Sequence, residues 1–411
     1  MEPQGYGPDA TGSPVFSQRP CWATAGAAPT RQDGGVERAE VVVVGAGAAG
    51  LALCVRLAAL GMCGVVLVSS PEQAPERTWC TWQRGPVDWA GAVSQRWYRV
   101  AVHGPDGRER QLPMGTHRYE MVRSRDYERW AAERLPGVDR RTAHVTSVAD
   151  GAMGAVVQGD GVALSARWVF DTRPAGPARA GRTALLQHFR GWFVRTASDA
   201  FDPAVAGLMD FRVPQPPGGV AFGYVLPMSP CEALVEHTSF TREVLDDAGY
   251  DAALRQYTDQ VLGLPPFEVL QVEQGAIPMT DAPFARRVGQ RVLRLGAAGG
   301  ATRPSTGYTF TAAQRQAAAV AGALGSGRDP EPPRAYPLRH LAMDAVLLRA
   351  LDSGRLDGAA FFTDLFDRHP VERVLRFLDG ASSPREEVAI MATAPRGPML
   401  RATAEVALHR P

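Results

Sequence analysis

The chain has 411 residues, a formal net charge of +1 and 45% hydrophobic residues, a length that suits about two or three domains with sizeable cores. The near balance of charges excludes nucleic-acid binding through a broad basic surface. All 44 basic residues are arginine, which excludes a P-loop lysine, a Schiff-base lysine and attachment of pyridoxal phosphate.

Cysteine and histidine spacing exclude further kinds of site. The five cysteines contain no C-x-x-C pair and are odd in number, so they fit neither a zinc site nor a disulfide framework and indicate a reducing compartment. The eight histidines lack the spacing of a helical metal site, so we expect no metal. Residues 1–38 are rich in glycine and proline without an apolar core, which predicts a disordered extension.

The most specific local pattern follows at residues 39–69, which read as a strand at 39–44, a glycine-rich turn, a helix and a second buried strand at 65–69. Gly45 permits the tight turn, Gly47 lets the backbone approach a pyrophosphate, and Gly50 allows close helix–strand packing. The N–H groups at the helix start would face the phosphates. The pattern predicts a dinucleotide site without distinguishing NAD from FAD.

The second strand of this unit ends in Ser69 and Ser70, where an acidic residue usually accepts the ribose hydroxyls. A serine still accepts such a hydrogen bond, although more weakly than a carboxylate. Residues 119–135 have helical periodicity, and Arg125 in this segment is a further candidate for contact with the cofactor.

Sheet is predicted in the middle of the chain. Residues 166–174 read as a strand, and residues 187–213 alternate apolar and polar side chains. Residues 224–240 read as two strands joined by a turn at Ser229-Pro230. Alternation places Glu236 on the same face as Leu234 and Thr238 and opposite His237, so Glu236 is either a solvent-facing residue or a buried acid.

A late strand–turn–helix at residues 291–324 favours FAD over NAD. Flavoproteins place such a unit late in the chain, with the helix start directed at the flavin. The small residues at 296–300 suit a close backbone approach. The candidate cofactor-binding residues of this segment are Gly299, Gly300, Thr306 and Gly307.

Residues 331–336 form a proline-containing linker, and residues 338–354 and 370–380 then read as amphipathic helices. These helices either cap a substrate domain or contact a bilayer.

The chain resembles the FAD-dependent lycopene cyclase family. The resemblance rests on several segments in family order: the glycines at 45–50, RTWCTW (77–82), FDTRP (170–174), QHFRGW (187–192), LMDFRV (208–213), YVLPMSPCEALVEHTSF (224–240), GAIPMT (275–280) and AAGGATRPSTGYTF (297–310). It implies an α/β, Rossmann-like FAD-binding flavoprotein fold of the hydroxylase and glutathione-reductase type, with a β-sheet substrate domain and C-terminal helices. The implied parts are an FAD-binding domain at 39–184 and 285–330, a substrate domain at 185–284 and a helical region at 331–411.

The resemblance also implies the catalytic residues. Glu236 aligns with an essential acid of the family, and the next residue is often acidic there, whereas this chain has His237. The ring type and a two-carboxylate mechanism therefore stay open, and His237 is either a polar residue at the rim or a group that tunes the acid. Asp210 matches a recurrent family carboxylate and is either a second acid or base or a structural group.

The implied reaction closes the linear ends of lycopene to β-type rings without net oxidation. A carboxyl group kept neutral by apolar neighbours donates a proton to an alkene, and exclusion of water protects the resulting cation. Candidate aromatic groups beside the cation are Trp79, Trp82, Phe222 and Tyr308, each of which could equally be ordinary core.

The implied cofactor is reduced FAD, acting as electrostatic stabiliser or proton relay, with NADPH or NADH as the reductant. Either the flavin or Glu236 gives the first proton. Because the substrate is a hydrocarbon held in membranes, the resemblance implies a cytoplasmic enzyme bound peripherally at the inner membrane face, with no nucleic-acid partner. Two alternatives keep the same scaffold: a cyclase of a shorter prenyl or meroterpenoid substrate, and a flavoprotein monooxygenase.

Overall fold

The computed structural model describes residues 36–408. Its strands are β1 (Glu37–Val44), β2 (Val65–Ser69), β3 (Thr78–Gln83), β4 (Gln95–Trp97), β5 (Arg99–His103), β6 (Glu109–Pro113), β7 (Arg118–Arg123), β8 (Val138–Thr142), β9 (Val145–Gly151), β10 (Gly154–Gly159), β11 (Val162–Asp171), β12 (Ala184–Thr196), β13 (Val205–Asp210), β14 (Val220–Pro227), β15 (Glu232–Thr241), β16 (Phe267–Thr280) and β17 (Val292–Arg294). Its helices are α1 (Ala48–Ala59), α2 (Ser124–Ala132), α3 (Asp247–Gln256), α4 (Phe310–Gly325), α5 (Leu338–Asp352), α6 (Gly358–Arg368), α7 (Val371–Leu378), α8 (Pro384–Thr393) and α9 (Arg396–Leu408).

The first sheet has the order β8-β2-β1-β11-β10-β9, with β17 also paired to β11. Strands β8, β2, β1, β11 and β17 pair with one another in parallel, whereas β10 pairs antiparallel with both β11 and β9. Strands β1 and β2 are almost entirely apolar because both faces of a parallel sheet are covered. Val41 and Val43 pack with α1, α2 and α4, and Val42 and Val44 pack with side chains of β9, β10 and β11.

The second sheet has the order β16-β12-β15-β14-β13-β5-β6. Both faces of its central strands are covered, whereas much of the edge strands β16 and β6 is exposed. One face, which includes Leu234 and Phe240, packs against the three-stranded sheet β3-β7-β4 and the C-terminal helices. The other face, which includes Trp192 and Val235, packs against α3 and the π-helical turn Tyr257–Val261.

Several predicted boundaries differ from the observed ones. The predicted helix at 119–135 is wrong at its start, because residues 118–123 pair with β3 as strand β7 and only Ser124–Ala132 are helical. Strands β5 and β6 lie within the segment assigned to FAD binding but pair in the second sheet through β13. Residues 1–35 of the predicted extension lie outside the described residues, and Glu37 and Arg38 already belong to β1. Within residues 36–408, no helix combines the length and apolar character needed to cross a membrane.

Candidate active site

Glu236 lies in the middle of β15, between two long antiparallel neighbours. It is paired with Gly191 of β12 on one side and with Tyr224 of β14 on the other. Its face of the sheet also carries Leu234 and Thr238, as the alternation predicts. A Cβ atom added at Gly191 would lie 3.4 Å from Glu236 Oε2 and 2.7 Å from Leu234 Cδ1. Gly191 therefore leaves room for the carboxyl group across the sheet surface.

The surroundings of Glu236 favour its neutral form. Burial raises the pKa of this carboxyl to about 8, and the negative charge of Glu273 adds to the rise. The Thr238 hydroxyl donates a hydrogen bond of 2.7 Å to Glu236 Oε1, which opposes the rise. A glutamate with this pKa carries its proton at neutral pH and can act as a general acid.

A second carboxyl group on the same face comes from Glu273 of β16, which sequence reasoning missed. Glu273 of β16 pairs with Gly191 of β12 from the side opposite Glu236 of β15. The two carboxyl groups therefore lie on one face of the sheet, one on each side of Gly191. Glu273 is 4% exposed, and it accepts hydrogen bonds from the Thr78 backbone N–H at 2.7 Å and the Thr78 hydroxyl at 2.6 Å. Burial raises the pKa of Glu273, and the two bonds from Thr78 counteract this rise.

Three tyrosines, a tryptophan and a cysteine surround the region beside Glu236. We call this set the aromatic cluster: Cys80, Trp82, Tyr119, Tyr224 and Tyr308. The hydroxyls of Tyr119 and Tyr224 are hydrogen-bonded, and that of Tyr308 lies 3.4 Å from Tyr119 Oη. Trp82 packs edge-on against Tyr308 with ring centroids 4.7 Å apart.

Burial keeps the aromatic cluster uncharged. It raises the pKa of the Cys80 thiol to about 12 and the pKa values of Tyr119, Tyr224 and Tyr308 well above the ordinary tyrosine value. The charge of Glu236 raises the pKa values of both Cys80 and Tyr308, which places the acid next to these side chains. The cluster is thus a wall of neutral aromatic faces beside a neutral acid.

Asp210 lies on the opposite face of the second sheet from Glu236. It is paired with Gly223, which is paired with His237, and directly paired residues share a face. Its carboxylate accepts two hydrogen bonds from the Arg212 guanidinium, at 2.9 and 2.5 Å, and one of 3.0 Å from Tyr257 Oη. Of the two roles open for Asp210, these contacts favour the structural group.

His237 is also directed away from Glu236. Its Nε2 lies 3.1 Å from Ser239 Oγ, and its Nδ1 is buried without a hydrogen-bond partner. Burial, with a smaller contribution from His188, lowers the pKa of His237 to about 4, so the ring is neutral at physiological pH. Of the two roles open for His237, a hydrogen bond to the acid is not observed, because the sheet separates the two side chains.

The glycines of the predicted dinucleotide site form a close turn at the start of α1. Gly45 has φ of +103°, and its N–H donates to Val68 O at 2.8 Å. A Cβ atom at Gly50 would lie 1.9 Å from Gly45 O, so no larger residue fits there. A Cβ atom at Gly47 would meet nothing within 4 Å, which leaves the start of α1 open to a ligand.

The late glycine-rich segment packs beside this turn, as a cofactor site built from both segments requires. A Cβ atom at Gly296 would lie 2.5 Å from Ala49 Cβ in the first turn of α1. Gly300 and Gly307 have φ of +77° and +72°, and a Cβ atom at Gly299 would lie 2.4 Å from Arg294 O. The helix of this segment begins at Phe310, whereas the sequence predicted a start near Ser305 and Thr306.

Unpaired polar atoms near Gly307 fit a polar heterocyclic ligand. Thr306 Oγ1 and Gln187 Oε1 are both buried without hydrogen-bond partners. A Cβ atom at Gly307 would lie 2.2 Å from the same Gln187 oxygen, so the unpaired oxygens of Thr306 and Gln187 lie in the same part of the structure. Buried polar atoms without partners are costly unless a ligand or water pairs with them.

The remaining candidate cofactor residues lie at the edge of this region. Ser69 is half-buried and its hydroxyl donates to Arg141 O at 3.2 Å, whereas Ser70 is exposed. Arg125, in the first turn of α2, is 59% exposed and lies 3.7 Å from Glu76. The role of these three residues in binding the cofactor stays a prediction.

Comparison with known proteins places this geometry in context. The family described as Lycopene cyclase protein matches residues 40–404. No curated protein matches the chain significantly. Similar solved structures include a geranylgeranyl bacteriochlorophyll reductase-like protein from Thermoplasma acidophilum, with 15% identity, a TM-score of 0.63 and coverage of 90% of this chain and 100% of that chain.

Two further solved structures share the architecture. A flavoprotein/dehydrogenase from Cytophaga hutchinsonii has 12% identity, a TM-score of 0.57 and coverage of 90% of this chain and 99% of that chain. The structure of CtdE in complex with FAD and substrate has 13% identity, a TM-score of 0.54 and coverage of 90% and 100%. The predicted α/β flavoprotein fold with C-terminal helices is confirmed, as is the predicted family.

Proposed function

Because the chain belongs to the lycopene cyclase protein family, we propose that it closes the linear ends of lycopene to β-type rings without net oxidation. The observation that carries this proposal is the neutral, partly buried carboxyl of Glu236 beside the aromatic cluster. Protonation of an alkene by this carboxyl gives a tertiary cation, which the second alkene of the substrate attacks to form the ring.

The cation needs electron-rich walls, and the rings of the aromatic cluster supply them. Aromatic faces stabilise a nearby cation by about 0.5–2 kcal/mol each. Among the sequence candidates, Phe222 is paired with Thr238 on the Glu236 face, and Tyr308, whose pKa the charge of Glu236 raises, packs edge-on with Trp82. Trp79 instead stacks on Phe310 at 5.3 Å, within the core of the first sheet.

The residues around the two glycine-rich segments fit FAD. Gly45, Gly47 and the start of α1 would hold the pyrophosphate, and Thr306 and Gln187 would offer their unpaired oxygens to the ring system. Reduced FAD supplies negative charge that stabilises a developing cation when it is bound nearby. NADPH or NADH is the proposed source of the electrons that keep the cofactor reduced.

An anaerobic assay with lycopene, FAD and NADPH tests the proposal. We expect a cyclic product of unchanged mass, detected by mass spectrometry and by its absorbance. A product heavier by one oxygen would instead identify a monooxygenase. Absence of cyclic carotene in lycopene-accumulating cells would point to a shorter prenyl substrate.

The variant Glu236→Gln tests the proton donor directly. The amide has nearly the same shape but cannot donate a comparable proton, so turnover should fall by about 100-fold or more while flavin binding persists. Flavin absorbance of the purified variant is the control for folding. Substantial remaining turnover would remove Glu236 from the mechanism.

We also propose peripheral contact with the inner membrane face through the C-terminal helices. Large apolar side chains are exposed there: Leu338 (67%), Val388 (60%), Met391 (50%), Leu400 (69%) and Leu408 (81%). Burial of such side chains in a lipid interface is favourable.

The double variant Val388→Asp, Met391→Asp should lose co-sedimentation with liposomes, whereas Val288→Asp, at a residue 46% exposed outside these helices, should not. Equal sedimentation of both variants would contradict this surface.

A further inference from the structure

Cyclisation by proton donation must end with proton loss, because the ring cation becomes a neutral cyclohexene only when a neighbouring C–H bond breaks. The group that accepts this proton must be a base that lies beside the cation. Which C–H bond it reaches decides where the final double bond forms. The acceptor therefore determines the ring isomer.

Besides Glu236 itself, which is a carboxylate once it has given up its proton, the titratable groups on its face leave few candidates for this acceptor. Cys80 and the three tyrosines of the aromatic cluster have raised pKa values and are neutral at pH 7. Asp210 and His237 lie on the other face of the sheet. Glu273 shares the face with Glu236 and lies across Gly191 from it.

We propose that Glu273 is the base that removes the final proton and so determines the ring isomer, an inference that rests on the proposed cyclase function. Its Cα lies two strand spacings from that of Glu236, roughly 10 Å, which lets two carboxyl groups flank a reacting chain end. Thr78 donates from its N–H and its hydroxyl to the two carboxylate oxygens, and both bonds favour the ionised form. Glu236 has one donor, Thr238, and stays protonated.

Protons and bonds balance in this scheme. The Glu236 O–H bond breaks as a C–H bond forms at the terminal alkene, and a C–C bond closes the ring. A C–H bond beside the cationic carbon then breaks, its electrons form the ring double bond, and the proton passes to Glu273. After product release, one proton returns from Glu273 to Glu236 through solvent, and no oxidant or reductant is consumed.

The test compares wild type, Glu273→Gln and Gln271→Ala in the lycopene assay run in deuterated water. Gln271 is the matched control, because it lies two residues away on the same strand and pairs with Arg123 without being an acid. Glu273→Gln should reduce turnover by about 100-fold or more, and the remaining product should contain a changed mixture of ring isomers. Gln271→Ala should keep the wild-type isomer. An unchanged rate and isomer ratio in Glu273→Gln would overturn the proposal.

The pH dependence of turnover distinguishes a catalytic role of Glu273 from a purely structural one. The charged groups facing Glu273 are Arg77 from the segment before β3 and Arg123 from β7, and the titratable groups beside it are Glu236 from β15 and Cys80, both neutral at pH 7. Thr78→Val removes one donor to the carboxylate, so the acid limb of activity should move to higher pH. Glu273→Asp should restore part of the turnover. If Glu273→Gln does not fold, an unmoved acid limb in Thr78→Val would overturn the proposal.

Two outcomes keep this inference distinct from the cyclase proposal. Wild type that makes no ring would refute the cyclase function itself. Wild type that makes a ring carrying one deuterium per closure, with Glu273→Gln indistinguishable from it, would refute only the role of Glu273.

Discussion

Burial of the Glu236 carboxyl opposes its ionisation and so makes the stability of the protein depend on pH. The pKa is about 8 in the folded chain and 4.5 in an ordinary glutamate, so the folded state holds the proton more tightly. The associated stability is present in full below pH 4.5 and is lost as the pH rises towards 8. At about 1.4 kcal/mol per unit of pKa, the loss amounts to a few kcal/mol at most.

Glu236→Gln should therefore become more stable relative to wild type as the pH rises from 5 to 8, because its amide does not ionise. Urea unfolding at several pH values measures this difference. The matched control is Glu232→Gln on the same strand, where the carboxylate pairs with Arg195 on the protein surface and the pH trend should be absent. A constant difference between Glu236→Gln and wild type would mean that Glu236 is ionised in the folded protein.

Glu236, Asp210 and Glu273 show what the sequence could reveal at the level of residues. Alternation in β15 correctly predicted the neighbours of Glu236 on its face, because that pattern is local. The grouping of Asp210 with Glu236 depended on strand pairing, and pairing through Gly223 puts Asp210 on the other face. Glu273 lies two residues before the GAIPMT segment, but only the register of β16 against β12 brings it to the site.

At the level of elements, the glycine-rich turn before α1 makes two substitutions behave differently although both lie in one motif. Gly50→Ala places a Cβ atom 1.9 Å from Gly45 O, so we expect a loss of about 1–3 kcal/mol or more in the free energy of unfolding. Gly47→Leu adds a side chain where nothing lies within 4 Å and where the backbone is extended, so folding should be unaffected.

Flavin content should separate the two variants further. Gly47→Leu should purify as a folded but colourless protein, because its side chain would occupy the space next to the α1 N-terminus. Circular dichroism and flavin absorbance measure the two properties on one sample. Retention of flavin by Gly47→Leu would place the cofactor elsewhere.

The strands predicted around this turn are confirmed, because the sequence patterns that predict them are local. The strand expected at 65–69 is β2, and the strand expected at 39–44 is contained in β1. The predicted helix at 119–135 is wrong at its start, because residues 118–123 pair with β3 and β4. This strand pairing outweighs the helical spacing of apolar residues in the segment.

At the level of the whole molecule, a buried ion pair joins the late glycine-rich segment to the C-terminal helices. Arg303 is fully buried and donates to both carboxylate oxygens of Asp344 in α5, at 2.8 and 2.9 Å. The same guanidinium donates to the carbonyl oxygens of Phe377 and Leu378 at the end of α7. Ser305 also donates to Asp344, at 2.8 Å, just before Thr306.

Asp344→Ala should therefore affect both stability and cofactor binding. It would leave Arg303 as an uncompensated buried charge, a change that costs about 3–5 kcal/mol. Because Arg303 and Ser305 anchor the segment that leads to Thr306, flavin affinity should fall along with the melting temperature. Asp364→Ala, which breaks an exposed pair with Arg368, is the control and should cost less than about 1 kcal/mol. A destabilised Asp344→Ala protein with unchanged flavin affinity would show that the C-terminal helices support the fold without positioning the cofactor segment.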